Sequence, residues 1–280
     1  MNPLTIFARR FVAGETPQDA VRAGERLHAK GIKATFDKLG EDVLDRAAAR
    51  RATEASKELL RLIPGGIERN VSIKMSSMGQ EISRDLCLEN VSGILDVAKE
   101  VGGFVRLDME GSKLTQDTIE TFHELRKRHD NVGIVLQAAL HRTPDDVKEA
   151  VRRGDRVRLC KGAYKEPPAV ALQDMADIRK AFMACTRTLL DGGSYPAVGT
   201  HDETLIGETI AYAKGQGIAP SRFEFQMLYG LRKGRWGELV RDGYNLRIYV
   251  PFGTHWIPYF YRRLRERREN VLFVLRNLFR

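Results

Sequence analysis

Apolar and polar positions alternate along this chain in two distinct rhythms. Short segments rich in β-branched and other apolar residues, at 33–38, 71–75, 104–109, 132–138, 156–161, 197–200, 223–227 and 246–250, read as strands. Each is followed by turn residues and then by a longer amphipathic stretch, at 41–62, 88–101, 115–128, 144–152, 168–191, 203–214 and 234–241, with 257–278 last. Residues 15–30 predict one more helix ahead of the first strand. This is the rhythm of a parallel α/β fold, and eight such units in 280 residues predict a (β/α)8 barrel of the TIM type. A doubly wound open sheet is the competing architecture. No Gly-x-Gly-x-x-Gly follows the first strand, however, and eight units close more naturally than they spread.

A hydrophobic content of 42% supports one large core, and no linker or low-complexity tract divides the chain. One catalytic domain over 1–280 is expected, made of an N-terminal helical segment (1–32), the barrel (33–256) and a C-terminal helix (257–280). No apolar run reaches membrane-spanning length, and the apolar stretch within 1–12 is too short for a secretory signal, so a cytoplasmic protein is expected. Cys87, Cys160 and Cys185 have neither paired nor metal-type spacing, which fits a reducing compartment and thiols with no special role. The formal charge of +9 is spread along the chain and does not select among nucleic acid, anionic lipid and an anionic ligand.

Chemistry concentrates where the strands end. In such barrels the site lies at the carboxyl ends of the strands, and here those ends carry Ser72, Lys74 and Ser76; Arg106, Asp108 and Glu110; Gln137; Arg158, Lys161 and Tyr164; Thr200 and His201; Glu224 and Gln226; and Arg247 and Tyr249. A barrel interior ordinarily takes branched apolar side chains, so Lys74, Asp108, Gln137, Arg158 and Lys161 would be costly there without partners or a ligand. Structural readings stand beside the functional ones. Lys74 with Asp108 on the adjacent strand can be a buried ion pair, His201 a satisfied core histidine, and Gly162-Ala163 a simple turn. His201-Asp202 is no metal motif without further ligands, and no metal is expected.

The C-terminal stretch adds a carboxylate grip. At roughly 100° per helical residue, Tyr259, Arg262, Arg263 and Glu266 share one face, with Ile257, Phe260, Leu264, Val271, Leu275 and Leu278 on a neighbouring one. Paired guanidiniums beside a tyrosine suit a small acid with an apolar body; a solvated basic helix is the other reading.

Three separated motifs then carry a resemblance. They are Val157-Arg158-Leu159-Cys160-Lys161-Gly162-Ala163-Tyr164, Phe223-Glu224-Phe225-Gln226-Met227-Leu228-Tyr229-Gly230, and the segment from Tyr249 through Tyr259, Arg262 and Arg263 to Glu266. In this order the chain resembles the FAD-dependent proline dehydrogenases from about Phe36 to Glu266. The resemblance implies a distorted barrel with its last helix over the mouth. It also implies oxidation of L-proline to Δ1-pyrroline-5-carboxylate on a non-covalently held FAD, the first step of proline catabolism to glutamate.

By that resemblance, Arg262 and Arg263 clamp the proline carboxylate. Lys74, Tyr249 and Tyr259 line the same pocket, and Tyr164 and Leu228 pack the ring. Asp108 positions Lys74 and Tyr249, with a proton-acceptor role open to it. Arg158 stands near flavin N5, Gln137 at the pyrimidine edge, Met109 at the ring system, Lys161-Gly162-Ala163 along the cofactor, and Thr200-His201 toward its phosphates or ribityl chain. Glu41 pairs with Arg262 as a gate over bound substrate, or else is an acid stabilised at a helix N-terminus.

Tyr229, Cys160 and Asp202 depart from the family pattern, which bears on the adenosine side of the cofactor. The family implies a quinone or other membrane electron acceptor, hence a peripheral approach to the inner face of the membrane, and no role for nucleic acid. A chain of 280 residues is expected to lack the further modules of the long bifunctional relatives and to hand its product to a separate pyrroline-5-carboxylate dehydrogenase. Two readings from other classes compete: a Schiff-base aldolase using Lys74 or Lys161, and a basic nucleic-acid or membrane-surface module.

Overall fold

The computed structural model describes residues 11–40, 43 and 45–254. They form β1 (Lys33–Lys38), β2 (Asn70–Lys74), β3 (Phe104–Asp108), β4 (Val132–Gln137), β5 (Val157–Cys160), β6 (Ala197–Gly199), β7 (Glu224–Leu228) and β8 (Asn245–Phe252). The strands close in chain order, every pair parallel, with β8 returning to β1. Helices alternate with them: α1 (Pro17–His28), α2 (Arg46–Leu62), α3 (Arg84–Glu100), α4 (Ser112–Arg126), α5 (Thr143–Arg153), α6 (Met175–Gly192), α7 (Glu203–Gly215) and α8 (Lys233–Arg241). The eight-unit barrel and the additional leading helix, α1, are as the periodicity predicts. The expected C-terminal helix, 257–280, lies outside the described residues.

Helix boundaries differ from the periodic pattern where capping decides them. The stretch expected to be helical from 168 begins only at Met175, because Asp174 accepts from the Ala176 and Asp177 amides and so starts α6 there. The prolines at 167 and 168 sit in the preceding loop, where Leu140 and Ala171 form an isolated antiparallel bridge. Ser83 likewise starts α3 four residues before the apolar pattern, and Asp45 sets the start of α2. Strand β8 runs through Pro251. Its pairing with β7 ends at Tyr249, so the proline nitrogen has no ladder partner to lose.

Period-two alternation separates two environments. Phe36, Val71, Ile73, Val105, Leu107, Ile134, Leu136, Val157, Leu159, Phe225, Leu246 and Ile248 belong to the main apolar core with buried residues of the surrounding helices. The intervening positions meet across the barrel from non-adjacent strands, so they fill its interior. They are largely polar: Thr35, Asp37, Ser72, Lys74, Arg106, Asp108, Gln137, Arg158, Glu224, Gln226 and Arg247 are all buried. The apolar core therefore lies in the layer between strands and helices, and the lumen is held by ions and hydrogen bonds.

Candidate active site

Arg158, inward on β5, is the hub of the upper lumen. Its Nη2 donates to Asp108 Oδ1 on β3, and its Nη1 to Gln226 Oε1 on β7 at 3.1 Å and to Ser72 Oγ on β2 at 3.3 Å. From β8 the Tyr249 hydroxyl donates to Asp108 Oδ2 at 2.7 Å, and the Tyr249 ring lies 5.3 Å from the guanidinium carbon. Burial alone would push Arg158 down, but the Asp108 carboxylate outweighs it and holds the guanidinium more firmly charged than usual. With both oxygens engaged, Asp108 fixes an arginine and a tyrosine at the carboxyl ends of the strands.

Lys74 departs from expectation in its partner. Its Nζ donates to both oxygens of Asp37 on β1, at 2.8 and 3.0 Å. Lys74 and Asp108 do stand opposite each other in the β2–β3 ladder, as supposed for an ion pair. The short Asp108 side chain instead reaches Arg158 and Tyr249, and the long lysine stem spans to the neighbouring strand. Asp108 therefore does not position Lys74; Asp37 does. Burial raises the Asp37 carboxyl above its ordinary value, with Lys74 opposing and the charge of Asp108 adding to the rise. Sequence reasoning gave Asp37 no role, although its alternation with Thr35, whose hydroxyl meets Ser72 Oγ at 3.1 Å, marks it as inward.

A second group of residues forms a cradle beside this cluster. Gln137 Nε2 donates to the Glu110 carbonyl at 2.9 Å, and Gln137 Oε1 accepts from the Ala163 amide at 3.3 Å. Glu110 itself accepts from the Ser76 amide and hydroxyl, at 3.0 and 2.6 Å, tying the ends of β2, β3 and β4 together. Gly162 has φ +116, and a Cβ there would stand 3.2 Å from Ala139 Cβ and 3.5 Å from Gln137 Oε1. A Cβ on Gly199 would lie 2.8 Å from Cys160 Sγ. Lys161 donates to Asp202 at 3.0 Å, where Arg179 also donates, at 2.7 Å. Burial would raise Asp202, but these two cations bring it below the ordinary carboxylate range. His201 Nε2 accepts from the Leu228 amide at 2.8 Å, and Thr200 Oγ1 from the Asp202 amide at 3.1 Å.

These donors fit a flat, anionic cofactor such as FAD. The glycines keep the walls low, the Gln137 amide is fixed in orientation with one N–H still available, and Lys161 and Arg158 supply positive charge. The structure brings Lys74, Asp108, Gln137, Arg158, Lys161, Gly162, Ala163, Thr200, His201, Leu228 and Tyr249 to one end of the barrel. Tyr164 is half-buried in the loop after β5, and Met109 is packed in the main core. Glu41, Tyr259, Arg262, Arg263 and Glu266 lie outside the described residues. Gln226 and Ser72, the other partners of Arg158, had no assigned role in sequence; they declare themselves only when β2, β5 and β7 face one another across the lumen.

The pattern that defines the proline dehydrogenase family matches residues 20–276. The chain belongs to that family. It is 38% identical over 272 residues to proline dehydrogenase 1 of Bacillus subtilis, covering 97% of this chain and 90% of that protein. It is 39% identical to the proline dehydrogenase of Deinococcus radiodurans, covering 97% of this chain and 89% of that one. A crystal structure of proline utilization A (PutA) from Bdellovibrio bacteriovorus, inactivated by N-propargylglycine, superposes with a TM-score of 0.87 at 26% identity. That match covers 96% of this chain but only 34% of the longer protein. The family is one of oxidoreductases, and the polar lumen is where its members on this fold would place their chemistry. No helix among the described residues is long and apolar enough to cross a membrane.

Proposed function

We propose that this chain is an FAD-dependent proline dehydrogenase, oxidising L-proline to Δ1-pyrroline-5-carboxylate as the first step of proline catabolism to glutamate. The observation that carries the reading is the buried Asp108–Arg158–Tyr249 cluster beside the Lys74–Asp37 pair, at the carboxyl end of a barrel belonging to this family. Bound FAD would supply a two-electron acceptor for hydride from the carbon beside the ring nitrogen of proline. Arg158, Gln137, Met109, the segment Lys161-Gly162-Ala163, and Thr200 with His201 would hold it.

The residues of the chain then bind, orient and exclude water. Lys74, oriented by Asp37, presents a buried ammonium toward the substrate side, and Arg262 and Arg263 would grip the carboxylate through paired forks. Tyr164, Leu228, Tyr249 and Tyr259 would pack the ring. Gathered cations disfavour a protonated substrate amine, so the nitrogen lone pair is free to assist departure of hydride. Asp108 keeps Arg158 and Tyr249 in register while this happens, and it is also the proposed proton acceptor. Glu41 with Arg262 would close the pocket. The electrons would pass to a quinone-type acceptor approached at the membrane surface from the cytoplasm, and the product to a separate pyrroline-5-carboxylate dehydrogenase.

The purified protein is expected to be yellow, with a flavin absorption band that L-proline bleaches under anaerobic conditions. A colourless protein trapped by borohydride with a carbonyl substrate would overturn this reading and point to Schiff-base chemistry on Lys74 or Lys161. Bleaching by a different secondary amine alone would overturn the substrate.

A further inference from the structure

Two ionic clusters occupy the lumen, one nearer the carboxyl ends of the strands than the other, and a neutral side chain joins them. Glu224 and Gln226, two residues apart on β7, are both buried on its inward face. In the lower cluster Glu224 accepts from Arg247 at 2.8 and 3.0 Å, and Arg247 also donates to Glu68 at 2.8 Å. In the upper one Asp108 accepts from Arg158 and from the Tyr249 hydroxyl. Gln226 Oε1 accepts from Arg158 Nη1 at 3.1 Å, while its Nε2 donates to Glu224 Oε1 at 2.6 Å. On β6, the strand between β5 and β7, the residue paired with Gln226 is Gly199, so β6 places no side chain between the amide and the guanidinium.

That amide cannot turn over. A guanidinium only donates, and Glu224, which burial would raise but Arg247 holds at about 2, only accepts. Reversing the Gln226 amide would set donor against donor and acceptor against acceptor, and both bonds would be lost. The pair beneath therefore aims the Gln226 carbonyl at Arg158. On the arginine side, Nη1 spends its hydrogens on Gln226 and, at 3.3 Å, on Ser72, and Nη2 spends one on Asp108. Side chains from β2, β3 and β7 thus fix the plane of the guanidinium. Its Nε–H and its remaining Nη2–H meet no acceptor among the described residues. Asp108 alone would preserve the charge but not the plane, because a fork held by a single bond can swing about it.

We propose that Gln226 is a positioning residue for the oxidation: its locked amide sets the plane of the Arg158 guanidinium, and with it the direction in which the unspent N–H groups face the cofactor. The inference rests on the proposed function, in which Arg158 stands beside the flavin. Ser72 assists from β2, and Glu224 acts one hydrogen bond further back. What Gln226 supplies is alignment and not charge, so its loss should appear in the chemical step and in the surroundings of the flavin more than in the binding of proline.

Anaerobic stopped-flow reduction of the holoenzyme by L-proline, with the visible flavin spectrum recorded beforehand, tests this. Gln226→Met keeps the length of the side chain and removes both bonds. It should bind flavin at the wild-type stoichiometry and shift the visible band, and its limiting reduction rate should fall about tenfold while the half-saturating proline concentration changes less than about twofold. Gln226→Asn, too short to reach both partners, should behave alike and decides the matter if the methionine variant does not fold. Gln226→Glu, sharing one proton with Glu224 and so able to donate to it while accepting from Arg158, should recover most of the rate. An unchanged rate and spectrum in the methionine and asparagine variants would overturn the inference, as would a rate lost only in proportion to flavin content, which is the mark of a residue that merely supports the fold. Wild-type flavin that proline leaves oxidised would overturn the proposed function itself, before any variant is compared.

Discussion

Glu224 offers the sharpest energetic test of the polar lumen. It is 2% exposed, and three side chains converge on it: Arg247 through Nε and Nη2 at 2.8 and 3.0 Å, Gln226 at 2.6 Å and the Tyr195 hydroxyl at 3.2 Å. Burial alone would raise its pKa. The Arg247 guanidinium outweighs burial and holds the carboxyl at about 2, against an ordinary 4.5. At about 1.36 kcal/mol per pH unit this difference corresponds to roughly 3 kcal/mol of folding stability. Removing one partner of a buried pair costs about 3–5 kcal/mol by comparison with other proteins, which agrees.

Glu224→Gln keeps the volume and removes the charge. It should therefore lower the unfolding free energy at pH 7 by about 3–4 kcal/mol, or the melting temperature by roughly 6–15 °C. The sign fixes the pH window. A depressed folded-state value means that the stabilisation is complete above about 4.5 and is lost as pH falls toward about 2. Urea unfolding of both proteins at pH 7, 5, 4 and 3 should show a constant gap down to pH 5 that shrinks below it. A gap as large at pH 3 as at pH 7 would refute the argument that charge, and not shape, is what Glu224 contributes.

Other consequences follow from single contacts. Asp37→Asn removes the charged partner of Lys74, worth about 1.5–3 kcal/mol, so kcat/KM for proline should fall roughly 10- to 150-fold, with Asp37→Glu partly restoring it; unchanged kinetics would refute the positioning role. Gly162→Ala places a side chain at φ +116 against Ala139, a strain of about 1–3 kcal/mol, and should lower both stability and the flavin content of the purified protein, read from unfolding and the visible spectrum. Glu166 accepts from the Ser112 amide at 2.7 Å and so caps α4, whose own N-cap, Gly111, has no side chain. Glu166→Ala should cost about 0.5–2 kcal/mol and speed limited proteolysis within 161–174; protection equal to wild type would count against the tether. Glu41→Ala should raise the KM for proline, and an unaltered KM would remove the gate.

The chain declares its fold openly because that fold is written in local terms. A strand buried against helices on one face must carry Val, Ile, Leu or Phe at alternate positions, and Phe36, Ile73, Leu107, Leu136 and Leu159 do so. Helix starts were legible from the apolar period only roughly, and were displaced at α2, α3 and α6, where the caps Asp45, Ser83 and Asp174 override it. The inward polar positions were also visible, since Lys74, Asp108, Gln137 and Arg158 violate what a barrel lumen ordinarily holds.

Their partners were not legible in the local pattern, and only the Asp108–Tyr249 contact was expected, through the family resemblance. Arg158 meets Asp108, Ser72 and Gln226, and Asp108 meets Tyr249, across separations of 50, 86, 68 and 141 residues. Such contacts exist only once the barrel has closed and its stagger has set which inward side chains share a level. Two equally plausible neighbours flank Lys74, Asp37 on β1 and Asp108 on β3, and sequence adjacency cannot choose between them. Side-chain length and the prior claim of Arg158 on Asp108 chose, and both act through space. By itself the sequence determined the layers, the alternation and the residue types at each strand end. Tertiary closure alone decided which charges neutralise one another, because those pairings join inward side chains of strands that meet only across the closed lumen.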